Sequence, residues 1–459
     1  MDKLDDYYKL IESKRHVSDN FGIKPVWLPE NLFDYQKHLA EKGILKGRQA
    51  QFIDTGLGKT RINLVICHNY VLHTNKRVLI ICPLAVAFQF IKEAHELGID
   101  DIEYSKDGTF TKKIVLCNYE RLSKFNWQDF EVVSLDESSI LKNDKGKIRL
   151  AATAFLRKIK YRYLFTATAS PNDYTELGTS SEALGYMGYV DMLKIFFTNN
   201  ENTIKAMDLF DKWVLKPHAI DSFFSWISTW AVSVRKPSDL GYSDERHILP
   251  ELVKRYHKVK NEQNMIIDNQ IMMFNSQARR LTEIRQENKQ TLEKRCEMAV
   301  ELAAKHDYTV YWANLNAEAD LLEKIDKDAV QIEGGMSVEK KEEILINFSE
   351  GKIKKLITKP KITSFGLNWQ HCNHTCIFST FSFEQDYQMI RRFYRFGQKR
   401  KVFVDRILSD GQQKVIDALE KKEAQMEMLF EKLNKKLNQY TEKKKEFDKE
   451  INLPKFLRG

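Results

Sequence analysis

The chain has 459 residues, enough for two or three domains, each with a core of its own. Its 42% hydrophobic and 11% aromatic content argue for a globular protein and against a disordered one. The 73 Lys and Arg outnumber the 64 Asp and Glu, a net charge of +9 that leans toward polyanionic partners without establishing nucleic-acid binding.

Residues 1–30 read as an extended N-terminal extension, with Pro25 and Pro29 breaking regularity. It begins Met1-Asp2-Lys3-Leu4-Asp5-Asp6, acidic and without an apolar leader. No run has the apolar length to span a bilayer, so no membrane partner is expected and cytoplasm is the expected setting. Phe33-Asp34-Tyr35-Gln36 opens a helix that ends near Gly43 or Gly47. A glutamine just upstream of a phosphate loop can read an adenine edge through its amide, although a solvated helix position is its commoner place. Gln49–Asp54 predicts a strand and Lys59–Leu72 a helix, with Thr55-Gly56-Leu57-Gly58-Lys59-Thr60 between and at the start. A strand turning through glycines into a helix aims backbone N–H groups at one spot, and that spot binds phosphate. Lys59 can then reach the β- and γ-phosphates, and the Thr60 hydroxyl can ligate Mg²⁺. The strict glycine pattern would need its first glycine at Ile53, so a plain turn before a helix is the competing reading.

Strands follow at Arg77–Cys82, Lys113–Asn118, Glu131–Asp136 and Arg162–Thr166, with helices at Ala85–Leu97 and Lys147–Lys158. That alternation implies a parallel sheet with right-handed crossovers, whose ligands sit beyond the carboxyl ends of the strands. Asp136-Glu137 closes a buried strand there. Asp136 suits a Mg²⁺ ligand, and Glu137 a base that polarises the water attacking a γ-phosphate. Cys67, Cys82 and Cys117 lie in apolar runs, which fits a reducing compartment better than a disulfide framework.

Thr166-Ala167-Thr168-Ala169-Ser170-Pro171-Asn172 closes the next strand. The order Tyr35-Gln36, Gly56-Leu57-Gly58-Lys59-Thr60, Cys82-Pro83-Leu84, Asp136-Glu137, Thr166-Ala167-Thr168 resembles the first motor lobe of superfamily-two helicases of DEAD/DEAH type, and most nearly their Swi/Snf-like branch. Residues 174–300 break the rhythm. Phe223, Trp226, Trp230 and Val234 recur at helical spacing, which favours a buried helix face over base stacking. A charged helix-like run covers about Glu262 to Lys305. Val234–Gly241, followed by Leu249-Pro250, resembles the linker between the two lobes in that branch, and the whole stretch is similar to compact bacteriophage helicases.

A second α/β pattern begins at Tyr308–Trp312, continues with a helix through Asp326, the short Val330–Ile332, a helix Val338–Ser349 and a strand Lys355–Thr358, and has no phosphate loop. Asn314 and Asn316 match the opening motif of a second lobe only weakly, while Ser364–Gln370 resembles the Gly-x-Gly-Leu-Asn motif with Ser364 in place of the first glycine. His371-Cys372-Asn373-His374-Thr375-Cys376 has the residue types of a metal cluster but no second pair to complete it, and Cys376 leads into an apolar strand, so the structural reading is preferred. In Gln388–Gln398, Arg392 and Arg395 are three apart and share one face of an expected helix. Two guanidiniums there could neutralise charge on a γ-phosphoryl, as arginine fingers do. The run resembles the last Swi/Snf-like motif, and Gln388 is counted with the nucleotide-binding residues. After Ile407 the tail carries Leu419, Met426, Leu429, Leu433, Leu437, Tyr440 and Phe447 at near-heptad spacing, read as a helix bracing the motor.

The expected fold is α/β, two tandem RecA-like parallel-sheet lobes: residues 31–188, an insertion and linker over 189–300, residues 301–410, and a helical tail over 411–459. The resemblance implies an ATP- and Mg²⁺-dependent DNA translocase or helicase, on duplex DNA in preference to single strands, in a bacterial or phage-infected cell, with replication, recombination or remodelling proteins as possible partners. Lys59, Asp136, Glu137, Arg392 and Arg395 would be catalytic; Gln36, Thr55, Gly56, Leu57, Gly58, Thr60 and Gln388 would bind nucleotide; Thr60 and Asp136 would hold the metal. Pro83-Leu84, Asn118-Tyr119, Thr358, Lys359 and Asn368 are the nucleic-acid contact candidates. The alternatives are a nucleic-acid-binding protein with an inactive or regulatory nucleotide site, and a small-molecule kinase.

Overall fold

The computed structural model describes residues 21–142, 146–169, 173–199, 213–261, 266–267, 270–271, 281–363, 368–378 and 382–450. It forms two compact units, one from the chain up to Asp244 together with the stretch from Met426, the other from Glu245 to Gln425. No described helix is long and apolar enough to cross a membrane.

In the first unit, α1 (Asp34–Lys46) leads into β1 (Arg48–Ile53), and α2 (Lys59–Thr74) follows the glycine loop. Then come β2 (Arg77–Ile81), α3 (Leu84–Glu96), β3 (Ile102–Tyr104), β4 (Ile114–Cys117), β5 (Phe130–Asp136), α4 (Lys147–Leu156) and β6 (Tyr161–Thr166). The apolar runs Val78–Ile81 and Ile114–Cys117 are buried throughout, as strands covered on both faces must be. Next are α5 (Glu176–Leu184), α6 (Tyr189–Phe196) and an antiparallel pair, β7 (Phe197–Asn199) with β8 (Trp213–Leu215). Then α7 (Ile220–Trp230) runs into β9 (Ala231–Val234). The strands form one sheet in the order β3-β4-β2-β5-β6-β1-β9, with every pairing parallel.

The aromatic cluster of α7 is core. Phe223, Phe224, Trp226, Ile227 and Trp230 are buried, and Trp230 meets Phe52 of β1 edge to face at 6.3 Å. Val234, expected on that helix face, lies instead in β9, which pairs with β1. The tail stretch of this unit buries Met426, Leu429, Phe430 and Leu433. Arg235 meets Glu427 at 3.7 Å and lies over the Phe430 ring, Lys432 lies over Phe224, and Lys436 meets Asp221 at 3.2 Å.

In the second unit, β10 (Leu252–Val259) is followed by the short antiparallel pair β11 (Ile266–Ile267) and β12 (Gln270–Ile271), then α8 (Leu281–Gln290) and α9 (Leu292–Ala303). The charged run from Glu262 is therefore not one helix: among its described residues a strand pair precedes two helices that break at Thr291, whose hydroxyl donates to the Glu287 carbonyl. The second sheet adds β13 (Thr309–Trp312), β14 (Ala329–Gln331), β15 (Lys355–Thr358), β16 (His374–Phe378) and β17 (Val402–Ser409), with helices α10 (Asn316–Ile325), α11 (Val338–Ser349), α12 (Pro360–Thr363) and α13 (Phe383–Ile390) between. Its order is β10-β17-β16-β13-β15-β14, again with every pairing parallel. Residues 189–300 thus divide, the part through β9 closing the first sheet and the part from β10 edging the second. The long helix α14 (Gln413–Glu450) begins here, with Glu420 accepting from Tyr256 and Glu423 from Lys254 of β10.

His374 spends both ring nitrogens in this core, Nε2 on Asp405 at 2.9 Å and Nδ1 on Thr309 at 2.8 Å, and Cys372 and Cys376 are buried beside it. The His371–Cys376 stretch is therefore packed as sheet core.

Candidate active site

The carboxyl edge of the first sheet carries the glycine loop, and Gln36 lies against it. Gly56 (φ +85) and Gly58 (φ +81) both take the left-handed conformation, which L side chains resist. Their turn brings Lys59 to the first position of α2 with its backbone N–H groups facing forward. Lys59 Nζ folds back to donate to the Ile53 carbonyl at 3.0 Å. Thr55 N donates to the buried Asp54 carboxylate at 2.6 Å, fixing the start of the turn. Gln36 is buried and clasps the loop: Nε2 donates to the Leu57 carbonyl at 3.0 Å, Oε1 accepts from Phe33 N at 3.1 Å, and Tyr35 Oη donates to the same Leu57 carbonyl. A Cβ on Gly58 would sit 2.2 Å from Gln36 Nε2, so a side chain there would push the Gln36 amide off the loop.

β6 lies between β1 and β5, so Asp136 and the loop are two strand spacings apart, roughly 10 Å along the edge. The interval holds the buried Thr166 and Thr168, the second donating its N–H to the first's hydroxyl at 3.1 Å, while Ser170-Pro171-Asn172 lie outside the described residues. Asp136 is 5% exposed. Burial and the neighbouring Glu137 carboxylate push its pKa up to about 8 against the opposing pull of Lys59. A buried carboxylate raised in this way is a site that a divalent cation would stabilise by restoring its charge. Glu137 stands at φ +53, an unfavourable conformation for a side chain with a Cβ, costing on the order of 1 kcal/mol or more. Strained backbone of this kind clusters at functional sites.

Tyr119, expected to contact nucleic acid, faces inward instead: it is buried, and its hydroxyl donates to the Asp136 carbonyl. It is a positioning residue for the acidic strand end. The only hint in the sequence was a polar aromatic immediately after a buried strand.

In the second unit, α13 ends at Ile390 and the chain turns through Arg391–Phe393 rather than continuing as a helix. Further on, Gly397 takes φ +92. Gln398 Nε2 donates to the carbonyls of Gln370, Cys372 and Phe393, drawing the segment against the chain before β16. Arg392 and Arg395 are consequently held on a stapled turn, Arg392 buried and its carbonyl accepting from Trp369 N. Gln388 lies on α13 and is 8% exposed.

Thr358, at the end of β15, is 1% exposed, which removes it from the contact candidates, while Asn368 is exposed and Lys359 Nζ donates to Asn316 Oδ1. Ser364–Leu367 of the glycine motif lie outside the described residues. A cavity of about 680 Å³ opens at the carboxyl ends of β13, β14 and β15, lined in part by Asn314, Asn316, Asp320, Gln331, Glu333 and Lys359. Asp320 and Gln331 carried no motif and are found only through the fold.

Residues 289–397 match the family of the helicase conserved C-terminal domain. No curated protein matches the chain in sequence. Among solved structures, S. cerevisiae Dbp5 bound to RNA and ADP BeF3 is similar with a TM-score of 0.55 at 11% identity, over 88% of this chain and 98% of that one. S. cerevisiae Dbp5 bound to Gle1 and IP6, both proteins as variants, gives 0.52 at 11% identity over 85% and 86%. The Sulfolobus solfataricus SWI2/SNF2 ATPase core in complex with dsDNA gives 0.42 at 16% identity over 84% and 90%. Residues 289–397 of the second unit thus match a helicase conserved C-terminal domain, and the two parallel sheets of the chain have the tandem RecA-like fold.

Proposed function

We propose that the protein is a nucleic-acid-dependent ATPase of Swi/Snf-like type that moves on DNA, on duplex in preference to single strands. The observation that carries this is the phosphate cradle of Gly56, Gly58 and Lys59 on the same sheet edge as the buried Asp136 and the strained Glu137. In this reading Lys59 leaves the Ile53 carbonyl for the β- and γ-phosphates, and the loop amides cradle the same oxygens. Gln36 holds the loop at Leu57 and offers the second lone pair of its amide oxygen to an adenine edge. Thr60 and Asp136 would hold a divalent cation, taken as Mg²⁺, which would supply charge neutralisation on the transferred phosphoryl. Glu137 accepts the proton of the attacking water. Arg392 and Arg395 neutralise charge developing on the γ-phosphoryl, with Gln388 beside them in sequence. Arginine-dependent hydrolysis of this kind can couple ATP turnover to movement along a phosphate backbone. Lys359, Asn316 and Asn368 are the backbone contacts proposed for the second unit.

The test is phosphate release titrated with single-stranded, duplex and forked DNA and with RNA. DNA should stimulate it, duplex most. RNA is the competing polymer, and stronger stimulation by RNA would reassign the track. Glu137→Gln should bind ATP yet lose stimulated release by roughly 10²- to 10⁴-fold. Unchanged release in that variant would sink the proposal.

A further inference from the structure

The carboxyl edge of the first sheet does not end at the acidic pair. Beyond β5 it continues through β2, β4 and β3, and each of those strands delivers a residue to one patch. After β2, α3 buries Val86, Ala87, Phe90 and Ala94 but leaves Phe88 54% exposed. β3 ends on Tyr104, whose ring lies 6.5 Å from that of Phe88 at 43°. After β4, Arg121 Nη1 donates to the Lys106 carbonyl at 2.7 Å, and Lys124 Nζ reaches the same oxygen at 3.5 Å. Gly108, at φ +91, closes this loop so tightly that a Cβ there would lie 2.3 Å from the Lys124 carbonyl. The loop bearing Lys106 and the turn bearing Arg121 and Lys124 are thus one built surface. The acidic neighbours are Asp107, in the same loop and within the field of Lys124, and Glu120, whose pull on Tyr104 is weaker than that of Arg121.

A single exposed phenylalanine needs no explanation. This one is backed by Tyr104, which lies in the field of Arg121, and is set on the edge that also carries the phosphate loop. Its exposed ring offers a π face that any base can stack on, and Arg121 and Lys124 offer charge to the adjoining phosphates. A base within a duplex already has both faces covered, so the site selects unpaired bases.

We propose that Phe88, positioned by Tyr104, stacks an unpaired base of a nucleic-acid strand whose flanking phosphates lie on Arg121 and Lys124. This rests on the nucleic-acid reading above and adds to it a place where single-stranded and duplex tracks are told apart.

The experiment uses the full chain and an oligonucleotide carrying 2-aminopurine, as a single strand, within a duplex, and in the unpaired arm of a fork. Wild-type ATP hydrolysis is measured first, and no stimulation by any nucleic acid overturns the underlying reading instead of this one. With stimulation present, wild-type protein should quench 2-aminopurine in the single strand and the fork arm. Phe88→Ala should lose the quenching and bind the single strand roughly 5- to 100-fold more weakly, with duplex affinity unchanged. Phe88→Leu keeps the apolar bulk but not the π face and should behave like alanine, whereas Phe88→Trp should restore quenching. Arg121→Ala with Lys124→Ala should flatten the dependence of log K on log salt by about one to two. Unchanged quenching in Phe88→Ala, an equal loss on duplex, or an unchanged salt slope overturns the proposal, as would a partner protein competing for Phe88 without displacing the oligonucleotide.

Discussion

Gly58 stands at φ +81 with the Gln36 amide where its side chain would be. Alanine there meets two costs: a left-handed backbone for a residue with a Cβ, and displacement of Nε2 from the Leu57 carbonyl. Together these amount to about 1–3 kcal/mol, so Gly58→Ala should lower the melting midpoint of the apoprotein by several degrees and, because the loop must give up its shape to relieve the strain, weaken binding of a fluorescent ATP analogue. Unchanged affinity would show that the loop reshapes freely. Gln36→Ala should give a smaller loss, because it opens the clasp without straining the backbone. The glycines and Lys59 were legible in the sequence because few other patterns put such residues between a strand and a helix. The clasp was not, since a glutamine upstream looks the same whether its amide meets adenine or a loop carbonyl. Nor was the conformation of Glu137, which depends on Tyr119 and the adjoining strands holding Asp136 in place.

At the scale of elements, the second sheet is tied across β10, β16 and β17 by one carboxylate. Asp405 accepts from Arg255 Nε and Nη2, each at 2.6 Å, from His257 at 2.8 Å and from His374 at 2.9 Å. Burial alone would raise its pKa, and the hydrogen bonds from His374, Arg255 and His257 outweigh burial and hold it well below the usual carboxylate range. His306 stacks on His374 at 3.9 Å, and burial, then the fields of His374 and Arg255, lower its pKa to about 4, with Asp405 and Asp307 opposing. Burial lowers His374 as well. A histidine whose folded pKa is depressed takes up its proton first in the unfolded chain, so stability is lost as pH falls from about 6.5 toward 4. Asp405 stays ionised over that window and does not compensate. His306→Phe keeps a ring against His374 and Phe403 without the titration, and its urea midpoint should fall less steeply than that of wild type between pH 7 and 4.5. Parallel curves would refute the assignment. β13, β14, β15 and β16 were legible from their apolar runs, and β10 and β17 were not. The turn carrying Arg392 and Arg395 was not, because three-residue spacing fits a helix equally well and only the fold shows the carbonyls that Gln398 collects.

Across the whole molecule, two parallel sheets followed from the alternation of strands and helices, but the seam between them did not. β9 is four residues long and gains its partner from β1, far away in sequence, and β10 is an edge strand studded with Lys254, Arg255, His257 and Lys258. Neither carries a signal stronger than its pairing. The tail was legible as a helix from its near-heptad apolar positions, of which Leu419, Met426, Leu429 and Leu433 are buried. Phe430 is 2% exposed under the Arg235 guanidinium, just past the end of β9. Truncating it to alanine removes a buried aromatic and leaves Arg235 without its ring, a loss of about 3 kcal/mol or more. Because Phe430 packs within the first unit, the loss should appear there: amide hydrogen exchange should quicken in α7 and β9 while β13 and β16 keep their protection. Quickened exchange across both sheets would mean that the molecule opens as one cooperative body, and unchanged exchange in α7 would mean that the tail contributes nothing to its stability. A nearly isosteric Phe430→Leu distinguishes packing from the cation–π contact, since it keeps most of the apolar contact and should recover most of the protection.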